Sequence, residues 1–215
     1  MTDFAAARSN MVENQVRCNG VTDQGVIAAM SAVPRERFVP AANQGIAYMD
    51  EDLPVGRGRY LLQPRAFAKL AQAAELSPAD TVLDVGCATG YSSAALARIV
   101  TSVVALEEDA ELAAAAKAAL SDLPNVTVVS GPLREGAAKQ GPYNVIFLNG
   151  TVASKPTTLF DQLAEGGRLV AVIAGGPVGH AHVFVRAGGT VSGRVVFDAA
   201  ARPLPGFEVA ENFVF

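Results

Sequence analysis

Val82-Leu83-Asp84-Val85-Gly86-Cys87-Ala88-Thr89-Gly90-Tyr91 decides the fold. The run Thr81 to Val85 is short, apolar and rich in β-branched residues, the pattern of a strand covered on both faces, and a helical stretch, Ser92 to Val100, follows at once. Gly86 and Gly90 mark the turn between them. Glycine admits positive φ and close approach of a ligand to the main chain, and the new helix offers free N–H groups at its start. Glu107 ends the next apolar run, Val103 to Leu106, 21 positions after Gly86. An acid at that offset is placed to hydrogen-bond a ribose hydroxyl pair.

Spacing and charge indicate which nucleotide. A dinucleotide loop wants Gly-x-Gly-x-x-Gly, but Ala88 and Tyr91 stand at the second and third glycine positions. Asp84, two residues ahead of the loop, would repel a pyrophosphate and attract a cationic ligand such as the ammonium and sulfonium of S-adenosylmethionine. S-adenosylmethionine is therefore the expected ligand, with Asp84, Gly86, Cys87, Ala88, Gly90, Tyr91, Glu107 and Glu108 as binding candidates.

The chain has 215 residues, 50% of them hydrophobic and 18% charged, enough to bury one full core. Its net charge of −4 and lack of a basic stripe argue against a nucleic-acid partner. No apolar run approaches the ~20 residues of a membrane span, and the first residues lack a signal peptide's apolar core, so a cytoplasmic location is expected. Cys18 and Cys87 have no Cys-x-x-Cys spacing. His180 and His182 share one face of a strand without a sequence-near acid or thiol, so no metal site is expected, and exposed strand positions are the plain expectation for both.

The N-terminal third reads as helical cover. A helix over Ala5 to Val16 ends at Asn19-Gly20, and a second, capped by Thr22 or Asp23, is stopped by Pro34. Pro34 to Pro40 reads as a rigid connector, Tyr48 to Pro64 as a long loop rich in Gly, Pro and charge, and Arg65 to Ala74 as a third helix.

Gly20-Val21-Thr22-Asp23 and Ala29-Met30-Ser31-Ala32-Val33-Pro34-Arg35-Glu36-Arg37-Phe38-Val39 resemble the N-terminal segment of protein-L-isoaspartate O-methyltransferases. Leu53-Pro54-Val55-Gly56-Arg57-Gly58, then Gln63-Pro64 and the Asp84 to Tyr91 loop, extend the resemblance over about residues 11 to 175. It implies a class I S-adenosylmethionine-dependent methyltransferase fold: a Rossmann-like α/β sheet, mostly parallel, with a C-terminal antiparallel hairpin. One domain is expected over 1–215, with 1–76 as cover and active-site loop and 77–215 as core. The implied reaction is methyl transfer to the carboxylate of isoaspartyl residues in damaged proteins.

The departures from the family fall at the site. The family's loop Gly-x-Gly-Gln-Thr-Ile-Ser-Gln-Pro is here Gly56-Arg57-Gly58-Arg59-Tyr60-Leu61-Leu62-Gln63-Pro64, so Leu62 replaces the serine. The family's Gly-Asp-Gly after the third strand, whose aspartate contacts adenine, is Gly131-Pro132-Leu133, so either adenine selectivity relaxes or the Leu133 backbone supplies that contact. The ending, Pro205 to Phe215, also differs from the family's. A carboxylate acceptor is ionised at pH 7 and needs no general base, so loss of the serine predicts a slow enzyme and no catalytic residue is assigned. Arg57, Arg59, Tyr60 and Leu62 are candidates to hold the acceptor, an arginine fork suiting a carboxylate.

The remaining pattern completes the sheet: a helix over Ala110 to Leu120, a strand over Val126 to Ser130, a strand ending at Asn149 and a helix near Thr157 to Leu163. A strand over Leu169 to Ala174 precedes a hairpin turning at Gly188-Gly189. Asn149 joins the cofactor-binding candidates. Three readings stay open: isoaspartyl methyltransferase, methyltransferase for another carboxylate-bearing acceptor, and non-catalytic S-adenosylmethionine-binding protein. The oligomeric state is not legible.

Overall fold

The computed structural model describes residues 3–175 and 178–208, so the last seven residues of the expected divergent ending lie outside the described residues. The cover begins with α1 (Phe4–Met11), continued by a wider turn over Val12–Val16, and α2 (Gln24–Ala32). Asp3 and Asp23 cap them, each Oδ1 accepting from the N–H three residues on, at 3.0 and 2.9 Å. The expected connector from Pro34 contains a tight helical turn, Arg35–Phe38, which carries the Arg35 side chain into full burial.

Where a long loop was expected, the chain forms a small antiparallel hairpin, β1 (Leu53–Gly56) and β2 (Arg59–Leu61). Leu53 and Val55 face inward while Pro54 and Gly56 face out, a period of two hidden among glycines and charges. Gly56, Arg57 and Gly58 all take positive φ, which closes the turn. The helix α3 (Pro64–Ala73) follows with Pro64 at its first position, where no N–H is needed.

The core alternates β3 (Thr81–Val85), α4 (Tyr91–Leu96), β4 (Ser102–Glu107), α5 (Ala110–Ala119) and β5 (Val126–Ser130). It then runs through β6 (Tyr143–Val152), β7 (Leu163–Ile173), β8 (Gly179–Ala187) and β9 (Thr190–Ala199). The helix expected near Thr157 is a 3-10 segment, Thr157–Gln162, squeezed between Pro156 and the start of β7. Strand order is β5-β4-β3-β6-β7-β8-β9; β5 through β7 pair parallel, while β8 and β9 add antiparallel. Gly188 and Gly189, both at positive φ, turn that last hairpin.

Strand alternation sends Val82, Val103, Ala105, Val145 and Phe147 to the face covered by α-helices. Leu83, Val85, Leu106, Ile146 and Leu148 go to the other, where short 3-10 turns and the segment after β9 supply Leu133, Leu159, Leu204 and Phe207. His180 stands opposite Asp198 of β9 with Nδ1 2.9 Å from its Oδ1, which corrects the expected lack of a nearby acid; its side chain is exposed, as expected, whereas His182 is half-buried and stacks on the Phe184 ring. The acid was missed because it lies across a hairpin, 18 positions away.

Candidate functional site

The order of strands reverses between β3 and β6, and the crevice beyond their C-terminal ends is where an open α/β sheet takes a ligand. Three of the expected residues meet there. Asp84 lies near the end of β3, Glu107 at the end of β4, and Asn149 in a bulge of β6 where two extra residues interrupt the register with β7. The bulge aims Asn149 sideways at Asp84.

Asp84 is fully buried. Its Oδ2 accepts from the Ser92 and Ser93 hydroxyls at 2.7 and 2.5 Å, and its Oδ1 from Asn149 Nδ2 at 2.5 Å. Burial nevertheless wins over these bonds and, with Glu107 nearby, raises its pKa to about 6. The same burial pushes the Cys87 thiol up, with both acids adding to the shift. Ser92 and Ser93 went unnoticed in the sequence, although two hydroxyls in the first turn after Gly90 are the groups a buried acid at the preceding strand's end would need.

Glu107 is also buried, but its partners differ in kind. Its Oε1 accepts from Arg59 Nη1 at 3.2 Å and from the N–H groups of Glu108 and Asp109 at 3.0 and 3.2 Å; its Oε2 accepts from Ala88 N at 2.8 Å. Arg59 Nη2 donates to the Gly86 carbonyl at 2.9 Å, and its side chain is 4% exposed. The guanidinium therefore stands over the glycine loop, on the carboxylate expected to receive a ribose.

A second side chain joins it from a distant part of the chain. After β9 the chain turns back along the end of β6: Thr151 N donates to Arg202 O and Leu204 N to Thr151 O, both at 2.8 Å. Asp52 fastens this segment to the hairpin side of the site, accepting from Gln63 N at 2.8 Å and Arg202 N at 3.1 Å. Burial pushes the Asp52 carboxyl up. Leu204 is thereby held 1% exposed beside Gly86, and the segment passes close to Gly150, where a Cβ would sit 2.9 Å from Arg202 O and 3.1 Å from Leu204 Cβ. Leu204 was missed because nothing near it in sequence marks it.

In the arrangement seen here, side-chain ends occupy the crevice that the family's cofactor would use. A Cβ built on Gly86 would stand 2.5 Å from Arg59 Nη2, 2.6 Å from Leu204 Cδ1 and 3.4 Å from Leu133 Cδ1, so the space a ligand would use is already filled. The cavity left among Tyr60, Leu62, Gly86, Cys87 and Asn149 is about 10 Å³, against roughly 300–1,000 Å³ for a small-molecule cleft. A larger cavity of about 420 Å³ lies beside Phe38, Val55, Arg57, Thr89 and Leu112, but neither Gly86 nor Glu107 lines it.

The chain matches the family model described as Protein-L-isoaspartate(D-aspartate) O-methyltransferase over residues 6–200. It is 42% identical over 172 residues to the protein-L-isoaspartate O-methyltransferase of Koribacter versatilis, covering 79% of this chain and 78% of the relative. It belongs to the protein-L-isoaspartate O-methyltransferase family. The Roseiflexus castenholzii enzyme of that name is 39% identical over 175 residues, covering 80% of each chain. A solved protein-L-isoaspartate O-methyltransferase superposes with a TM-score of 0.81 at 26% identity, over 93% of this chain and 66% of that one. A Plasmodium falciparum structure of the same description, in complex with S-adenosyl-L-homocysteine, shares the fold with a TM-score of 0.79 at 19% identity, over 91% of this chain and 96% of that one.

The structure places the other candidates of this protein-L-isoaspartate O-methyltransferase family member as follows. Arg57 is exposed and paired with Asp109 at 3.0 Å; Arg59, expected as an acceptor fork, is spent on Glu107. Tyr60 is half-buried with the Arg202 guanidinium 5.1 Å from its ring. Leu62 is buried, and its carbonyl accepts from Arg35 Nη2 at 2.7 Å. Pro132 is exposed, whereas Leu133 carries its side chain to the loop; Gly131, just before them, is half-buried. The Glu108 side chain points to solvent and only its N–H serves the site. Tyr91 packs edge-on against Phe38 and Phe67, with Arg35 over its ring, tying the cover to α4. Gly90 holds a left-handed φ of +98° at the start of α4.

Proposed function

We propose that the chain is an S-adenosylmethionine-dependent O-methyltransferase of the isoaspartyl-repair type, acting as one domain on isoaspartyl-containing protein or peptide. The observation that carries this reading is the family match over residues 6–200, together with the acid pair and glycine loop at the sheet's switch point. On this reading, Asp84, Gly86 through Gly90, Glu107 and Asn149 hold the methyl donor, as their position at the sheet's switch point supports. Leu62 supplies no hydroxyl, but a carboxylate acceptor is already a nucleophile at pH 7, with an ordinary pKa near ~4. Water exclusion and alignment would then be the main contributions of the hairpin. Two free cysteines and no long apolar helix among the described residues accord with action in the cytoplasm.

One observation favours a second reading, a non-catalytic member of the family: the crevice is filled by Arg59, Leu133 and Leu204. Transfer of a labelled methyl group to an isoaspartyl peptide, with the matching aspartyl peptide as control, separates the two. Incorporation specific to the isoaspartyl peptide supports the enzyme. Absence of transfer by the wild type and by a variant shown to bind the donor overturns it.

A further inference from the structure

We propose that Arg59 and Leu204 form an intramolecular plug that competes with the nucleotide for the crevice, so that the donor enters only by displacing them; the proposal rests on the crevice being the donor site. Three features set this plug apart from ordinary packing. Its charged end occupies the acid that the sheet presents to a ribose, with Arg59 Nη1 on Glu107 Oε1 and Nη2 on the Gly86 carbonyl. Its apolar end lies against Gly86, a loop glycine whose positive φ and open Cα would otherwise admit a ligand. And its two halves reach the site from opposite ends of the chain, on elements joined by Asp52 and by the Arg202 guanidinium over Tyr60.

The plug is built from parts that can leave. Arg59 sits on a two-stranded hairpin whose tip, Gly56 to Gly58, is exposed. Leu204 sits on a segment outside the strands of the main sheet, tied to the end of β6 by three backbone hydrogen bonds, and short irregular attachments of this kind belong to the low-stability end of a fold. By contrast, Asp84 and Glu107 are fixed at strand ends inside the sheet. Opening therefore leaves the receiving surface in place and removes only its occupant. If the open state is a minor one, the apparent dissociation constant rises by the inverse of its population.

The test is calorimetric titration of S-adenosylmethionine and S-adenosylhomocysteine into wild type, Arg59→Gln, Leu204→Ala and the double variant, each confirmed folded by circular dichroism. The family has glutamine at the first of these positions, so Arg59→Gln keeps a polar group that the fold accommodates. Removing the plug should tighten binding by about ten-fold or more in the double variant, with each single variant between it and wild type. Equal, measurable affinity in wild type and all three variants overturns the plug and leaves the methyltransferase reading intact. Binding in none of the four, at millimolar ligand, overturns both. Should the double variant fail to fold, the two single variants decide on the same criterion.

Discussion

The two ends of the glycine loop hold their acids in opposite ways. Asp84 is surrounded by neutral donors, two serine hydroxyls and a carboxamide, and its pKa is raised to about 6. Glu107, 19 positions beyond Ala88 and joined to its N–H, has three backbone amides and a buried guanidinium. Two carboxylates of similar burial thus differ in what their charge does for the fold. At Asp84 the charge is a cost that hydrogen bonds only partly offset, and at Glu107 it is what keeps Arg59 inside.

Glu107→Gln breaks the comparison hardest. It leaves the Arg59 guanidinium buried without a counter-charge, a loss of about 3–5 kcal/mol, which for a chain of this size lowers Tm by roughly 10 °C. Adding Arg59→Met should recover most of that loss, since an apolar side chain of similar length needs no partner. Thermal denaturation of the single and double variants checks both. A fall of only a degree or two in Glu107→Gln would mean that the pair is not buried as described.

Asp84→Asn should act in the opposite direction. Because the folded pKa of Asp84 is raised to about 6, the native state holds its proton more tightly than the unfolded chain. Stability from this group is therefore lost as pH rises from about 4 to about 6, and stays lost above that. The amide has no charge to bury, so Tm at pH 7.5 should rise by an amount corresponding to about 1–3 kcal/mol, with the two chains converging toward pH 4. Melting curves across that window decide it, and a variant less stable than wild type at every pH would refute the assignment.

The smallest effect is expected between the two acids. Ala88 takes a left-handed φ of 50° while donating its N–H to Glu107, a conformation that glycine adopts without strain. Ala88→Gly should therefore raise stability by up to about 1 kcal/mol, or at least cost nothing, unlike alanine-to-glycine changes in regular structure. Chemical denaturation at pH 7.5 measures this, and a loss above about 1 kcal/mol would show that the loop is held by the methyl group's packing.

The half of the site that is local in sequence was legible. The β3 strand, Gly86, Gly90 and Glu107 lie within one β-α-β stretch, where periodicity and offset carry the geometry. Asn149 was legible for a related reason: a strand running parallel to β3 must end at the same edge. What stayed hidden depends on partners far apart in the chain. Arg59 and Glu107 are separated by 48 positions, and an arginine in a Gly-rich turn reads as a solvated charge until its acid is seen. Leu204 meets Gly86 across more than half the chain. The hairpin over Leu53 to Leu61 was obscured because its two inward residues on the first strand, Leu53 and Val55, are outnumbered by turn formers.

The segment from Arg202 to Phe207, threaded along the end of β6, gives the experimenter a second handle on the site. Because Ala153 N also donates to Phe207 O, pulling on this segment peels it away one hydrogen bond at a time, first at Ala153 and then at Thr151, before Leu204 is drawn out. Tension applied to this segment is thus a perturbation of the crevice itself.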